Sequence, residues 1–388
     1  MTITNELINY ILISGAVLLL LCFIIQLYYH FYYYNRLIRM ENSDKTFTEE
    51  QPPLSIILCV EDQVDELRKN LPHLLDQEYP EFEIIVIDMA SQDETREYLE
   101  YMEKEHDNLY YSFTPDSARF ISRRKLAQTI GVKASKYDWL VFTEANCQPN
   151  SKFWLEALAR NMTEKTEIIL GYSGYEYEKS GLNRFITYDN LLTAMRYLGL
   201  ALAKKPYMGQ GRNMAYRKRL FLEGKVFSNQ LNLKRGEDDL FINNNATATN
   251  TRVELSPNSQ VTISPLKKFK YWRDHKLSHL TSAQRYEGKK HYVVGFETTT
   301  RFLIYLTAIP VITGAILCKY WIILGIAVGL LILRWITQAY TLNKSAKKFK
   351  VKHRYYLSLF YYNIRLPWEV FLLKFRLPKR RKGNIVKL

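Results

Sequence analysis

Three long apolar segments interrupt an otherwise polar chain. The first occupies residues 8–29 and carries no charge, and two more occupy 302–318 and 320–341 on either side of Lys319. Because about 20 consecutive apolar residues cross a bilayer as a helix, this pattern predicts three transmembrane helices. Arg334 lies inside the third, where we expect it either to pair within the helix bundle or to reach the membrane surface.

The region between the first two segments alternates short apolar runs with helical patterns. Apolar runs at 54–60, 83–88 and 137–143 predict strands, and each is followed by a polar break. A helical pattern lies between the first two strands, so this strand–helix–strand unit predicts a parallel sheet. The helical patterns lie at 63–78, 94–104 and 121–135, followed by an amphipathic helix near the membrane at 182–202 and an interfacial helix at 355–377.

Charged residues beside the apolar segments predict how the chain is oriented. The first ten residues contain Glu6 and no Lys or Arg, which favours an uncleaved anchor over a signal peptide. The chain has 54 Lys and Arg against 39 Asp and Glu, a net charge of +15. Many of the basic residues follow residue 340, namely Lys344, Lys347, Lys348, Lys350, Lys352, Arg354, Lys379, Arg380, Arg381 and Lys382. Positive charge beside apolar helices is typical of the cytosolic side. We therefore expect an inner-membrane protein with its N-terminus outside and its C-terminus in the cytosol, and no nucleic-acid partner.

These patterns divide the chain into four parts. They are an anchor with a linker at 1–53, a cytosolic α/β domain with interfacial helices at 54–296, two transmembrane helices at 297–342, and a basic tail at 343–388. The 4 cysteines include no CxxC pair, so the sequence predicts neither a disulfide framework nor a zinc site.

Polar side chains follow each predicted strand of the α/β domain. The first strand ends at Glu61-Asp62-Gln63, the second at Asp88 with Asp93 five residues on, and the third at Glu144-Ala145-Asn146. In open parallel sheets, ligands bind at the carboxyl ends of the strands. Turns also favour Asp and Asn, but three such strand ends in succession indicate a binding site.

At these positions the chain resembles the family 2 glycosyltransferases, which have a GT-A fold, and in particular their membrane-bound branch. The resemblance rests on four ordered segments that cover roughly 54–295: SIILCVEDQVDELRKNLPHLLDQEYPEFEIIVIDMASQDET, RRKLAQTIGVKASKYDWLVFTEANCQP, GQGRNMAYRK and GEDDLFINN. It implies a mostly parallel, Rossmann-like sheet in a domain flanked by transmembrane helices.

The resemblance also implies which residues bind the sugar donor. Asp88 matches the acidic residue that holds the uridine part of a UDP-sugar, and Asp93 matches the second acidic residue of that loop, although it also suits a helix N-cap. Asp62 stands in the first-strand loop, where the family usually has an Asn-Glu pair. Arg124 and Lys125 precede the next helix, where they either meet diphosphate charge or form a solvated basic face.

Glu144 and Asn146 match the family's DxD motif, in which two carboxylates hold a divalent cation against the diphosphate. The resemblance therefore implies Mg²⁺ or Mn²⁺ as cofactor. Asn still offers a carbonyl oxygen, but this motif has lost one negative charge, which predicts weakened metal binding.

On the acceptor side, Asp238 matches the general base of the family's ED motif, with Asp239 as the alternative and Glu237 beside them. The same three acids also suit a helix N-terminus. The family's acceptor loop is matched by Gly211, Arg212 and Asn213, which also suit a simple turn. The family's QxxRW motif falls on the segment that begins at Trp272, with His275, Ser278 and His279 in place of Gln, Arg and Trp; Gln284-Arg285-Tyr286 is the alternative match. This departure weakens the expectation of processive polymer synthesis.

Taken together, the resemblance implies an inverting glycosyltransferase that moves a sugar from a UDP-sugar to a lipid-linked or cell-envelope glycan at the cytosolic face of the membrane, with envelope-assembly proteins as partners. The alternative is a catalytically weak or inactive homologue that binds a sugar nucleotide or serves as a partner subunit.

Overall fold

The computed structural model describes residues 2–40, 47–115, 122–223 and 236–377, with the side chains of 2–7 and 291 left aside. The end of the predicted basic tail lies outside these residues. The described chain folds into two compact units, one formed by the N-terminal residues up to 40 together with 288–369, the other mainly by 41–287.

Among the described residues, the second unit contains ten strands and most of the shorter helices. The strands are β1 Leu54–Val60, β2 Phe82–Asp88, β3 Leu109–Phe113, β4 Trp139–Phe142, β5 Cys147–Pro149, β6 Ile168–Leu170, β7 Ser173–Tyr175, β8 Met214–Arg217, β9 Thr251–Val253 and β10 Val261–Ile263. The helices are α3 Val64–Leu75, α4 Thr95–Glu105, α5 Arg123–Ala134, α6 Trp154–Ala159, α7 Gly181–Leu202, α8 Lys218–Glu223, α9 Asp239–Asn245 and α10 Phe269–Ala283.

A seven-stranded sheet in the order β3-β2-β1-β4-β8-β6-β9 forms the centre of this unit. Its strands pair in parallel except that β8 runs antiparallel to both neighbours, β4 and β6. A smaller sheet has the order β5-β10-β7. The α/β architecture with a mostly parallel sheet is therefore confirmed.

The central strands form because their side chains are apolar on both faces. In β1 every side chain except that of Cys59 is buried, and in β4 all four are buried. Such continuous apolar runs are typical of parallel strands covered by helices on both sides. The register pairs Val60 with Asp88, so the polar loops after β1 and β2 begin side by side.

One predicted helix has a different character from the one expected. The segment 182–202 is α7, but it is not amphipathic: 16 of its 22 residues are buried. Several of its polar side chains are buried as well; Asn190 Nδ2, for example, donates to the carbonyl of Ser173 at 2.8 Å.

The first unit is helical. It contains α1 Thr2–Tyr28, a π-helical segment Tyr29–Tyr34, α2 Asn35–Arg39, α11 Lys290–Leu317, α12 Trp321–Lys348 and most of α13 Ser358–Lys374. Within the described chain, three helical stretches are long and apolar enough to cross a membrane: Ile8–Arg39, Tyr292–Leu317 and Trp321–Lys348.

Small residues allow α1 and α11 to pack closely, as is common between helices in lipid. A Cβ added to Gly314 would lie 2.5 Å from Leu12, and one added to Gly15 would lie 2.7 Å from Val311. Arg334 of α12 is buried and donates from Nη1 to the hydroxyl of Tyr305 at 2.6 Å. Of the two expectations for this arginine, pairing within the bundle is therefore the one that holds.

Candidate functional site

The loops after β1 and β2 are joined by polar contacts at the carboxyl end of the sheet. Asp88 Oδ1 accepts from the backbone N–H of Ser91 at 3.0 Å, and Asp62 Oδ1 accepts from the backbone N–H of Gln92 at 2.6 Å. Asp62 and Ala90 both adopt positive φ, of 51° and 64°. Such conformations are costly for residues with a Cβ and persist where surrounding bonds hold them. The structure thus brings Asp62 and Asp88 into adjacent loops, as their strand positions predict.

Asp93 connects the same two loops. Its Oδ2 accepts from the backbone N–H of Val64 at the start of α3, and its Oδ1 accepts from the backbone N–H of Thr95 at the start of α4. Burial raises the pKa of Asp93, but the hydrogen bonds from Thr95 and Val64 outweigh burial and hold that pKa below its ordinary value. The carboxylate caps two helix N-termini, so the capping interpretation of Asp93 accounts for its present contacts.

Glu144, which follows β4, is held by two arginines. Its Oε1 accepts from Arg124 Nη2 at 2.6 Å, and its Oε2 accepts from Arg212 Nε at 3.0 Å. Arg124 also pairs through Nε with Glu237. These partners come from the start of α5, the loop before β8 and the loop before α9, so the arrangement depends on the tertiary fold.

The cations of this cluster are largely buried. Burial lowers the pKa of Arg124, but the carboxylates of Glu237 and Glu144 outweigh it and raise that pKa above its ordinary value. Lys125 is fully buried, and burial lowers the pKa of its amine to about 8 although Glu237 and Asp239 act in the opposite direction. Both predicted donor-side cations therefore lie beside the acidic residues of the site.

The residues predicted to hold a divalent cation do not fit one in this arrangement. Both oxygens of Glu144 face guanidinium groups, and Asn146 Oδ1 accepts from the thiol of Cys147 at 3.4 Å. In the described part of the chain, no three His, Cys, Asp or Glu side chains converge as metal ligands. A dication on Glu144 would lie beside both guanidinium groups, and repulsion between these like charges disfavours its binding.

Asp238 and Asp239 are adjacent but have different environments. Asp238 is partly exposed; it caps α9, accepting from Asp239 N–H at 2.7 Å and from Gly211 N–H at 2.9 Å. Asp239 is 0% exposed, and its carboxylate accepts from Leu240 N–H at 2.7 Å, from Tyr286 Oη at 2.9 Å and from the hydroxyl of Ser282. Asp238 is therefore the accessible carboxylate, and Asp239 is an internal one.

The backbone conformation just before these acids requires a glycine. Gly236 has a φ of 105°, a left-handed conformation that favours glycine. A Cβ at this position would also lie 2.7 Å from Leu240. Any side chain at residue 236 would thus displace the first turn of α9, where Asp238 and Asp239 lie.

These residues line a cavity. One wall is α10. His275 Nε2 accepts from Arg212 Nη2 at 3.0 Å, and His279 Nδ1 lies 3.5 Å from Asp239 Oδ2. The lining residues are Glu144, Gln210, Arg212, Gly236, Glu237, Asp238, Asp239, His275, Ser278, His279 and Ser282.

Three predicted acceptor residues, Gly211, Asn213 and Trp272, do not line this cavity. Trp272 is buried, and its Nε1 donates to Asp189 Oδ2 at 2.9 Å, while Lys276 Nζ pairs with the other oxygen of Asp189 at 2.6 Å. These contacts fix α10 against α7. Asn213 donates from Nδ2 to the carbonyls of Tyr172 and Ser259, both at 2.8 Å, so its amide N–H groups are occupied within the fold.

Sequence reasoning missed the part that Ser282 plays in holding Asp239, and the anchoring of α10 by Asp189. One signal was available for the cavity wall. His275, Ser278, His279 and Ser282 recur at intervals of three or four residues, which places polar side chains on one face of a helix. The alternative match at Tyr286 also reaches the site, through its bond to Asp239.

Comparisons with known proteins agree with this architecture. Residues 55–224 match the model of the family Glycosyl transferase family 2. The chain is similar in structure to the mannosyltransferase PcManGT from Pyrobaculum calidifontis in complex with GDP-Man and Mn²⁺, with a TM-score of 0.56 and 15% identity over 87% of this chain and 99% of that one. It is also similar to residues 1–349 of TarS from S. aureus in complex with UDP-GlcNAc, with a TM-score of 0.43 and 15% identity over 77% of this chain and 89% of that one. No curated protein matches. Residues 55–224 are therefore similar to a glycosyl transferase family 2 domain, and the predicted GT-A fold is confirmed.

Proposed function

We propose that this chain is an inverting, membrane-bound glycosyltransferase. It moves a sugar from a UDP-sugar to a lipid-linked or cell-envelope glycan at the cytosolic face of the membrane. The observation that carries the proposal is the carboxylate of Asp238. In a GT-A domain, it is the partly exposed acid of the ED sequence, and it lines the same cavity as Glu144 at the strand ends.

In the proposed reaction, Asp238 removes the proton from an acceptor hydroxyl, as a positioned carboxylate can do. The hydroxyl oxygen forms a bond to the anomeric carbon while the bond from that carbon to the diphosphate oxygen breaks. The nucleoside diphosphate leaves with the electron pair, and attack from the opposite face inverts the configuration. Asp62, Asp88 and Asp93 are assigned to the nucleoside side of the donor, at the ends of β1 and β2.

The acceptor is assigned to the cavity wall formed by α10. His275, Ser278 and His279 offer hydrogen-bonding groups to a neutral, hydroxyl-rich acceptor. Arg212 and the loop around Gly211 hold Asp238 and Glu144 in place rather than the acceptor itself.

Nucleotide release tests the proposal. The purified full chain in detergent, supplied with lipid extract as acceptor source, is incubated with a panel of UDP-sugars and with GDP-mannose, since the similar mannosyltransferase holds GDP-Man. We expect UDP release with at least one UDP-sugar, reduced to background in Asp238→Asn. The proposal is wrong if no donor is consumed and neither UDP nor GDP binds.

The second candidate, an inactive sugar-nucleotide-binding homologue, is favoured by one observation. Asn146 replaces a motif carboxylate, and the remaining Glu144 is already engaged by Arg124 and Arg212. The same assay separates the two functions, because such a homologue binds the nucleotide without releasing it from any donor.

A further inference from the structure

We propose that the guanidinium groups of Arg124 and Arg212 bind and neutralise the diphosphate of the donor, in the place where a divalent cation would otherwise lie. The inference rests on the proposed function, because it concerns the nucleotide-sugar of that same site. It assigns a diphosphate-binding role to Arg212, for which the sequence suggests only an acceptor-side role.

The first argument is position. Both arginines contact Glu144, the remaining carboxylate of the metal motif, at 2.6 and 3.0 Å. A cation that served the leaving diphosphate would have to bind this same carboxylate. The two guanidinium groups thus already occupy both of its oxygens.

The second argument is charge. An arginine stays protonated in proteins, so these two positive charges are permanent. The carboxylates of Glu144, Glu237 and Asp238 all act on Arg124, and the amine of Lys125 lies near Glu237. The two guanidinium groups are therefore permanent cations held in place by carboxylates.

The third argument is hydrogen-bonding capacity. A guanidinium presents five N–H donors in a planar fork that matches phosphate oxygens. The bonds of Arg124 to Glu144 and Glu237 engage Nη2 and Nε, so the fork is oriented by carboxylates and retains further N–H groups. A partly buried, pre-oriented pair of this kind loses little entropy when an anion binds.

Calorimetry with the full chain in detergent tests the inference. UDP and GDP are each titrated in the presence of EDTA and in the presence of Mn²⁺. For the nucleotide that binds, we expect the Kd in EDTA to lie within about threefold of the Kd in Mn²⁺. We expect Arg124→Gln and Arg212→Gln each to weaken binding at least tenfold, which corresponds to about 1.4 kcal/mol.

The neighbouring Arg123 is the matched control. It is more exposed than Arg124, at 42% against 23% of its side chain, and its only described ion pair is to Glu61 at 3.8 Å. Arg123→Gln should change the Kd less than twofold. Arg124→Lys keeps the charge but loses the planar fork, so its Kd should lie between those of the wild type and Arg124→Gln. Thermal unfolding of each variant shows that it is folded.

A second variant tests the inference by a gain of metal dependence rather than by a loss of binding. Asn146→Asp combined with Arg212→Gln restores two carboxylates and removes one guanidinium, so Mn²⁺ should now tighten nucleotide binding at least tenfold. Binding only in Mn²⁺ by the wild type would refute this inference and leave the proposed function standing. Wild-type affinity in folded Arg124→Gln and Arg212→Gln would refute it as well, since the arginines would then serve only to hold Glu144. If neither nucleotide binds under either condition, the proposed function falls and the inference falls with it.

Discussion

The two adjacent acids at the start of α9 should respond in opposite ways to the same substitution. We expect Asp238→Asn to abolish sugar transfer while the protein stays folded and binds its nucleotide. We expect Asp239→Asn to lower stability instead. The reason is that Asp238 lines the cavity with a partly exposed carboxylate, whereas Asp239 is completely buried and bonded within the fold.

The magnitudes follow from the contacts of each side chain. Asn caps a helix about as well as Asp, so Asp238→Asn loses mainly the bond from Gly211 N–H, about 1 kcal/mol. Loss of a general base should reduce transfer by a factor of about 10² to 10⁴. In Asp239→Asn, an amide N–H₂ replaces an oxygen that accepts from Ser282 and Tyr286. Losing this charged acceptor should cost about 2–3 kcal/mol, or about 4–6 °C in Tm.

The assay combines nucleotide release, UDP calorimetry and thermal unfolding on the same three proteins. If Asp239→Asn lost transfer at a normal Tm while Asp238→Asn stayed active, Asp239 would be the general base instead of Asp238. Near wild-type transfer by both variants would mean that neither carboxylate acts as the base, and the proposed mechanism would be wrong.

Three further outcomes are expected. Lys125→Met should stabilise the protein at pH 7, because burial lowers the pKa of Lys125 from 10.5 to about 8, which corresponds to about 3 kcal/mol. A lysine whose pKa is lowered on folding destabilises the folded protein fully below pH 8, and this effect disappears as the pH rises towards 10.5. The gain in Tm of Lys125→Met over the wild type should therefore shrink between pH 7 and pH 10. Glu254→Gln should destabilise the protein by about 3 kcal/mol at neutral pH, because buried Glu254 accepts from Arg160 Nη2 at 2.7 Å. Burial raises the pKa of Glu254, but its hydrogen bonds from Arg160 outweigh burial and lower that pKa. The difference in Tm between wild type and variant should therefore disappear as the pH falls through the lowered pKa. A reporter fused after Leu388 should be cytosolic and a tag before Met1 accessible from outside, which protease treatment of intact cells checks; a protected tag would contradict the predicted orientation.

The parallel half of the fold was predictable because its signals are local. The runs 54–60 and 83–88 are apolar on both faces, which is the pattern of buried parallel strands, and β1 and β2 occupy them almost residue for residue. The polar strand ends follow from the same pattern, because adjacent parallel strands place their carboxyl ends at one edge. The short strands β6, β7 and β9, of three residues each, carry no comparable signal.

The misassigned helix shows where a local pattern fails. In α7, polar residues such as Asp189 and Asn190 suggest a solvated face, but both are buried and bond to residues outside the helix. Asp189 accepts from Trp272 and Lys276, more than 80 positions away. A buried polar residue with such partners cannot be distinguished from a surface residue by its spacing alone. For the same reason the sequence did not reveal that Trp272 anchors α10 to α7, and its position in the motif predicted an acceptor-binding role instead.

The proposed change in the metal motif and the arginine pair explain one another in physical terms. A second carboxylate at residue 146 would help Glu144 to bind a dication. The dication would then compete with the guanidinium groups for Glu144 more effectively, because two carboxylates would attract it. With Asn146 in place, Glu144 is the only charged group of the motif, and two guanidinium groups outnumber it. The substitution therefore does more than remove one metal ligand, because it shifts the balance at Glu144 towards the permanent cations of the protein. Whether a nucleotide needs added metal thus depends on Arg124 and Arg212, two residues that no metal-motif comparison includes.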